Sequence, residues 1–253
     1  MPDYTLPIRP AIFGRRPPTI AVYLLGQVGF ERALALQQRL VFDACTTAGG
    51  QITLLLCEHP PIITIGRGGS RADVQLENVL LAGRTLDIYR VNRGGGAVLH
   101  HPGQLAVYPI VPLDRLGWTV GEFLQRFQAG LAASLAELKI ASQPRPGRYG
   151  LWGQSGQLAS LGVSVKDWVT YYGAQIHVGP ALHLQKFIDS DRADRIRIGS
   201  LCEESDAAVK MTAVRSRVVR CTAEAFGCEY HVYTDHPLLP HVLRGDRATL
   251  CAS

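Results

Sequence analysis

The chain has 253 residues, 47% of them hydrophobic and 19% charged, with a formal charge of +5. That length suits one large domain or two small ones, and the apolar share can build a substantial core. The composition excludes disorder, collagen-like repeats and coiled coil, and no apolar run reaches the roughly 20 residues that span a bilayer. The basic residues are scattered, and the nearest cluster, Asp191 to Arg197, is diluted by Asp191 and Asp194. The surplus therefore suits an acidic protein partner at least as well as a polyphosphate, and it lacks the massed patch of a nucleic-acid binder.

In chain order, residues 1–22 begin as a proline-rich stretch with three arginines and Asp3. They have no apolar core of a secretion signal, and the prolines spoil an amphipathic transit helix, so they read as an extended arm. Phe30 to Ala44 carries Phe30, Ala33, Leu34, Val41 and Ala44 at helical spacing, closed by Gly49-Gly50. The apolar run Ile52 to Cys57 reads as a buried strand, and Ile62 to Ile65 as another after Pro60-Pro61. Asp87 to Val91 alternates like a strand, and Leu105 to Tyr108 follows a glycine-rich link.

The clearest helix runs from Val120 to Leu138, its stripe set by Val120, Phe123, Leu124, Phe127, Leu131, Leu135 and Leu138, with Thr119 and Glu122 as a capping box. Strand-like pieces follow at Tyr149 to Trp152, Leu158 to Val165, Trp168 to Tyr172 and Gln175 to Val178, and a last helix runs from Thr212 towards Phe226. Runs of strands between helices argue an α+β fold, a mixed, mostly antiparallel sheet with packed helices.

Six cysteines are too few for a disulfide scaffold of this length, and reduced thiols in a cytosol are expected. Cys221, Cys228, His231, His236 and His241 match no common zinc spacing, so surface and packing roles are favoured over a metal. The segment richest in chemistry is Val91 to Gln104, where Gly94, Gly95 and Gly96 let a backbone approach a ligand closely. A plain hairpin would account for the glycines, but Arg93, His100, His101 and Gln104 around them favour a binding loop. No G-K-[ST] closes it, so it is not a phosphate-binding P-loop.

Several blocks resemble the octanoyl-(acyl carrier protein):protein octanoyltransferases of the lipoate–biotin ligase superfamily. Leu55 to Arg67 (LLCEHPPIITIGR) is similar to that family's L-x-x-E-H-P-P-V-x-T-x-G-R. Arg93 to His100 (RGGGAVLH) with Pro102 to Leu105 and Tyr108-Pro109 looks like R-G-G-x-x-x-Y-H-G-P-G-Q-L…Y-P. Leu158 to Val163 and Trp168 to Gly173 resemble K-I-A-x-[LI]-G-V and R-W-V-T-x-H-G, and the resemblance spans roughly Tyr23 to Val214. It implies a lipoate–biotin ligase-like fold, with a catalytic domain over residues 23–226 and a C-terminal extension over 227–253.

The resemblance places the nucleophile at Cys202, in C-x-x-x-D-A-A-V. It places substrate contacts at Arg93, Gly94, Gly95, Gly96, Ala97, Val98, Leu99 and His100, at Ser160, Leu161 and Gly162, and at Tyr172, Gly173 and Ala174. The family lysine is Gln157 here, the family histidine is Tyr172, and Leu201 and Glu203 flank Cys202 in place of proline and glycine. Glutamine can donate and accept hydrogen bonds but carries no charge. Lys166, His100 and His101 are the ionisable residues nearest these motifs that could act as a base instead.

The activity implied is transfer of an octanoyl or lipoyl group from acyl carrier protein to a lysine of a lipoyl domain, through a cysteine acyl-enzyme and without a cofactor. The acceptors implied are lipoyl domains of 2-oxoacid dehydrogenases or the glycine cleavage H protein, with no nucleic acid and no membrane, and the chain a cytoplasmic monomer. The alternative is an impaired relative that binds acyl groups or lipoyl domains without turnover, because of Gln157. An ATP-dependent lipoate or biotin ligase ranks last, since the H-P-G-Q-L block and the cysteine belong to the transferase branch.

Overall fold

The computed structural model describes residues 17–46, 51–74, 80–81, 84–179 and 196–237. The elements are β1 (Thr19–Gln27), α1 (Phe30–Thr46), β2 (Ile52–Glu58), β3 (Ile62–Ile65), β4 (Leu80–Leu81), β5 (Arg84–Thr85), β6 (Ile88–Arg90), β7 (Ala97–His100) and β8 (Gln104–Ile110). They continue as α2 (Leu113–Leu116), α3 (Val120–Glu137), β9 (Gln143–Arg145), β10 (Arg148–Trp152), β11 (Gln157–Lys166), β12 (Val169–His177), α4 (Met211–Phe226) and β13 (Glu229–Tyr233).

Among the described residues, eight strands form the main sheet in the order β13-β1-β2-β8-β12-β11-β10-β9, antiparallel except where β1 pairs with β13 and β2. A second sheet, β6-β3-β7, carries the glycine segment at one edge, and β4 with β5 makes a small hairpin. The fold is α+β with a mostly antiparallel sheet, as the runs of strands imply.

Side-chain alternation explains why the central strands read as apolar runs. On β2, Ile52, Leu54 and Leu56 face the core that holds Phe123, Phe127 and Phe226 of α3 and α4, while Leu55 and Cys57 face Ala33, Leu36 and Val41 of α1. Both faces are covered, so both parities are apolar. The α3 helix starts at the expected capping box: Glu122 N donates to Thr119 Oγ1 (3.1 Å) and Thr119 N to Glu122 Oε2 (2.8 Å). Arg220 of α4 pairs with Glu137 of α3, and Gly130 lets the two helices touch, since a Cβ there would lie 2.9 Å from Thr222 Cα. The α4 helix ends at Gly227, whose φ of 69° is the left-handed conformation of a glycine stop.

Three features depart from the sequence pattern. The β1 strand begins at Thr19, inside the stretch expected as an arm, and β13 lies in the stretch expected as an extension; both belong to the main sheet. The pieces Trp168 to Tyr172 and Gln175 to Val178 are one strand, β12. It stays paired through Tyr172 (φ 56°), whose N–H donates to the buried Gln37 Oε1 of α1 at 2.8 Å. The β11–β12 turn is Asp167-Trp168, both with positive φ, as a two-residue hairpin of this hand requires. The expected helix stop at Gly49-Gly50, and the cluster up to Arg195, lie outside the described residues.

Candidate active site

The glycine segment is clamped from two sides. Gly94 N donates to Val163 O of β11 (3.1 Å), while Gly66 N, Arg67 N and Gly68 N donate to Gly96 O, Arg93 O and Gly95 O at 3.0–3.1 Å. A Cβ on Gly162 would lie 2.6 Å from Gly94 O, so glycine is needed where the segment crosses β11. Gly95 adopts φ +82°, a conformation that L side chains rarely take. The outcome is a thin backbone wall held over a strand.

Behind this wall is a cavity of about 750 Å³, bounded also by Ser160 to Val165 of β11, Val120 and Leu124 of α3, Tyr149 and Trp152 of β10, and Ile196 and Ile198. The volume falls within the roughly 300–1,000 Å³ usual for ligand pockets. Leu99, Val120, Leu124, Leu161, Val163 and Ile198 give it an apolar side suited to an alkyl chain, while Arg67, Arg148, Gln157, Ser164 and Gln175 make the rest polar.

Among the residues expected at the site, Arg93, Gly94 to Leu99, Gln157, Ser160, Leu161 and Gly162 border this cavity. Arg93 does so with its guanidinium turned inward. It is buried, and its guanidinium donates to Thr64 O (2.9 Å), Thr64 Oγ1 (2.8 Å) and Gly94 O (3.0 Å), which latches the glycine segment to β3. Burial pulls its pKa down to about 10, which still leaves it charged at neutral pH.

His100 is not on the cavity wall. It shares a strand face with Thr64, accepts or donates at Thr64 Oγ1 (3.0 Å), and packs against Phe30 and His59. Burial, with His59 next, holds it well below the usual imidazole range. Nor do Tyr172, Gly173 and Ala174 border the cavity. Tyr172 packs with Phe30, Ile62 and Val91 on the α1 side. Gly173 has no room for a Cβ against Val107 O, and Ala174 lies in the core opposite Val107. Their part is to bring β12 close to β8.

Cys202 does not itself border the cavity; it is half-buried, on a stretch stapled to residues of two strands that do. Gln157 N donates to Arg197 O (2.8 Å) and Gly199 N to Gln157 O (3.1 Å) on the β11 side. Leu201 N donates to His177 O (2.8 Å) and Cys202 N to Val178 O (3.2 Å) on the β12 side. Gly103 O in turn accepts from Val178 N (3.0 Å) and Gly179 N (2.9 Å), so the Pro102-Gly103 bend supports the residues that hold Cys202. Glu58 fixes that bend by accepting from Gly103 N (2.9 Å) and Arg215 (2.6 Å).

Glu203 follows Cys202 directly, but the carboxylate with a defined partner here is Glu204. It accepts from Gln154 N (3.1 Å) and Ser155 N (2.5 Å), fixing the turn that leads into Gln157. Burial works against its ionisation, yet the hydrogen bonds from Ser155 and Gln154 outweigh that and hold its pKa below the ordinary value.

The residue that sequence reasoning missed is His177, the imidazole on the cavity wall among the described residues. Alternation from Gln175, which also borders the cavity, was the available signal. Burial, and next His101, lower its pKa to about 3, so it is neutral at physiological pH. Lys166, by contrast, lies at the exposed far end of β11.

The protein-family model for the lipoyl protein ligase A/B catalytic domain matches residues 30–223. An octanoyltransferase of Geotalea uraniireducens is 35% identical over 194 residues, covering 77% of this chain and 87% of the relative. An octanoyltransferase of Geobacter metallireducens is 42% identical over 154 residues, 61% of this chain and 68% of the relative. Among solved structures, lipoate-protein ligase A bound with ATP superposes with a TM-score of 0.71 at 16% identity, covering 88% of this chain and 92% of that one. A putative lipoate protein ligase from T. acidophilum with bound lipoic acid does so at 0.69 and 17%, with the same coverage. The structural neighbours fix the fold, and with the family match and the sequence relatives they show that the chain belongs to the octanoyltransferase family of the lipoyl protein ligase A/B catalytic domain.

Proposed function

We propose that the chain transfers an octanoyl group from acyl carrier protein to a lysine of a lipoyl domain, through a thioester on Cys202. Acyl transfer in lipoate biosynthesis is supported by the relatives named octanoyltransferase. The observation that supports the finer reading is the stapling of the 197–202 stretch to Gln157 and His177, two residues that border the cavity, and to Val178.

The Cys202 sulfur attacks the carbonyl carbon of the donor thioester, the new C–S bond forms, and the carrier's thiolate leaves. One thiol proton enters and one is recovered, so the half-reaction is proton-neutral. The lysine amine then attacks, an amide forms, and Cys202 is released as the thiol while one ammonium proton passes to solvent. Exchange between thioesters is nearly isoenergetic and amide formation is downhill, so no ATP is required. The alkyl tail contributes about 0.8 kcal/mol for each methylene the cavity buries. The +5 charge suits acidic protein substrates. In this reading the chain works as a cytoplasmic monomer; among the described residues no helix is long and apolar enough to cross a membrane.

The test is incubation with octanoyl-acyl carrier protein and an unmodified lipoyl domain, followed by the acceptor's mass. Gain of one octanoyl group at its lysine is expected. One observation favours a second reading: Gln157, a neutral side chain, borders the cavity where the resemblance puts a lysine. A chain that binds the donor but never labels the acceptor would establish that impaired form instead.

A further inference from the structure

We propose that His177 is the hydrogen-bond donor that receives the oxygen of the acyl carbonyl while Cys202 attacks its carbon. The inference rests on the Cys202 reading and adds a group to it. Gln104 settles the tautomer. Its Nε2 donates to Leu99 O at 3.0 Å and lies 3.4 Å from His177 Nδ1. Turning the amide over would set two carbonyl oxygens against each other at Leu99, so the amide NH₂ faces Nδ1. A nitrogen that faces a donor must accept, and the proton of the neutral ring is therefore on Nε2.

Among the described residues that Nε2–H has no hydrogen-bond partner, and the ring borders the cavity. The ring is 2% exposed, so it offers a largely buried donor at the cavity's edge. A donor fixed in place in this way is suited to charge that develops only in the transition state, because it need not reorganise. The position fits as well: His177 O binds Leu201 N and Val178 O binds Cys202 N, so the imidazole and the thiol spring from neighbouring rungs of one ladder. Burial keeps the ring neutral, so it stabilises an oxyanion by hydrogen bonding without taking the proton. This fits a site whose Gln157 is also neutral.

Two measurements decide it. In ¹⁵N NMR, with the His177 signal identified by its loss in His177→Gln, Nδ1 should appear bare and Nε2 protonated at pH 7. The reverse tautomer would overturn the proposal, and this measurement needs no acyl-enzyme. Second, with octanoyl carrying a ¹³C carbonyl, the thioester band of the Cys202 adduct should lie at lower frequency in the native chain than in His177→Ala, with His177→Gln restoring part of the shift. Turnover should fall roughly a hundredfold in His177→Ala with KM within about twofold. An identical carbonyl band in all three chains would sink the role of His177 while leaving the cysteine intact. No adduct in the native chain would instead sink the cysteine reading.

Discussion

At the scale of single residues, two positions invert what their side-chain type suggests. Arg93 looks like an anion binder, but its donors all turn inward to Thr64 and Gly94. The flat fork matters more than the charge, so Arg93→Lys is not conservative: an ammonium cannot span both Thr64 oxygens and Gly94 O. Denaturant unfolding should show a loss of about 2 kcal/mol, with octanoyl binding weakened as the glycine segment unlatches. An unchanged midpoint would show that the fork does not hold the segment. Gln157 borders the cavity where the family resemblance places a lysine. Installing that charge by Gln157→Lys favours the thiolate if Cys202 works there, and alkylation of Cys202 at pH 7 should speed up on the order of tenfold. An unaltered rate would mean that position 157 does not sense the thiol.

At the scale of elements, the site is a crossing of backbones, and its weakest tolerance is at Gly162. Gly162→Ala sets a methyl group 2.6 Å from Gly94 O, against backbone that cannot swing aside like a side chain. The segment must lift off β11, at a cost of about 1–3 kcal/mol, and donor binding should fall along with the melting temperature. Retained binding would place the acyl chain elsewhere. The sequence made α1, α3 and α4 legible because each carries a stripe at helical spacing, and α3 also its capping box. The glycine segment was legible by composition alone. The β1 strand was not: both its faces are largely buried, so it lacks alternation, and the prolines before it suggest an arm. The exposed β13 has a pattern but a partner 210 residues away in β1, which no local window reveals. His177 was missed for the same reason. Its role depends on which strand, and which stretch beyond residue 195, lies beside it. Tyr172 misled in the opposite way, since matching a motif position does not say which face of β12 a side chain takes.

At the scale of the whole molecule, one sheet covered on both faces encloses a polar interior beside the cavity. His59 bridges Val28 O (2.6 Å) and Tyr108 Oη (2.7 Å), His100 bonds Thr64, and His177 meets Gln104. Burial lowers His59 to about 4 and His177 to about 3, and holds His100 well below normal. The unfolded chain has ordinary imidazoles near 6.5, so between that value and the folded ones it binds the extra protons. The stability these groups support is therefore complete above about pH 6.5 and is lost as pH falls towards 4, on the order of 3 kcal/mol from His59 alone. Urea midpoints at pH 7.5, 6 and 5 should decline steadily; a flat series would mean the imidazoles are not sealed. The reaction proposed for Cys202 is tested most directly by intact mass. The native chain mixed with octanoyl-acyl carrier protein should gain one hydroxylamine-sensitive octanoyl group, mapped to the peptide holding Cys202, while Cys202→Ser gains none and melts at the same temperature. An adduct that persists in Cys202→Ser, or that maps to Cys45, Cys57, Cys221, Cys228 or Cys251, would contradict the account.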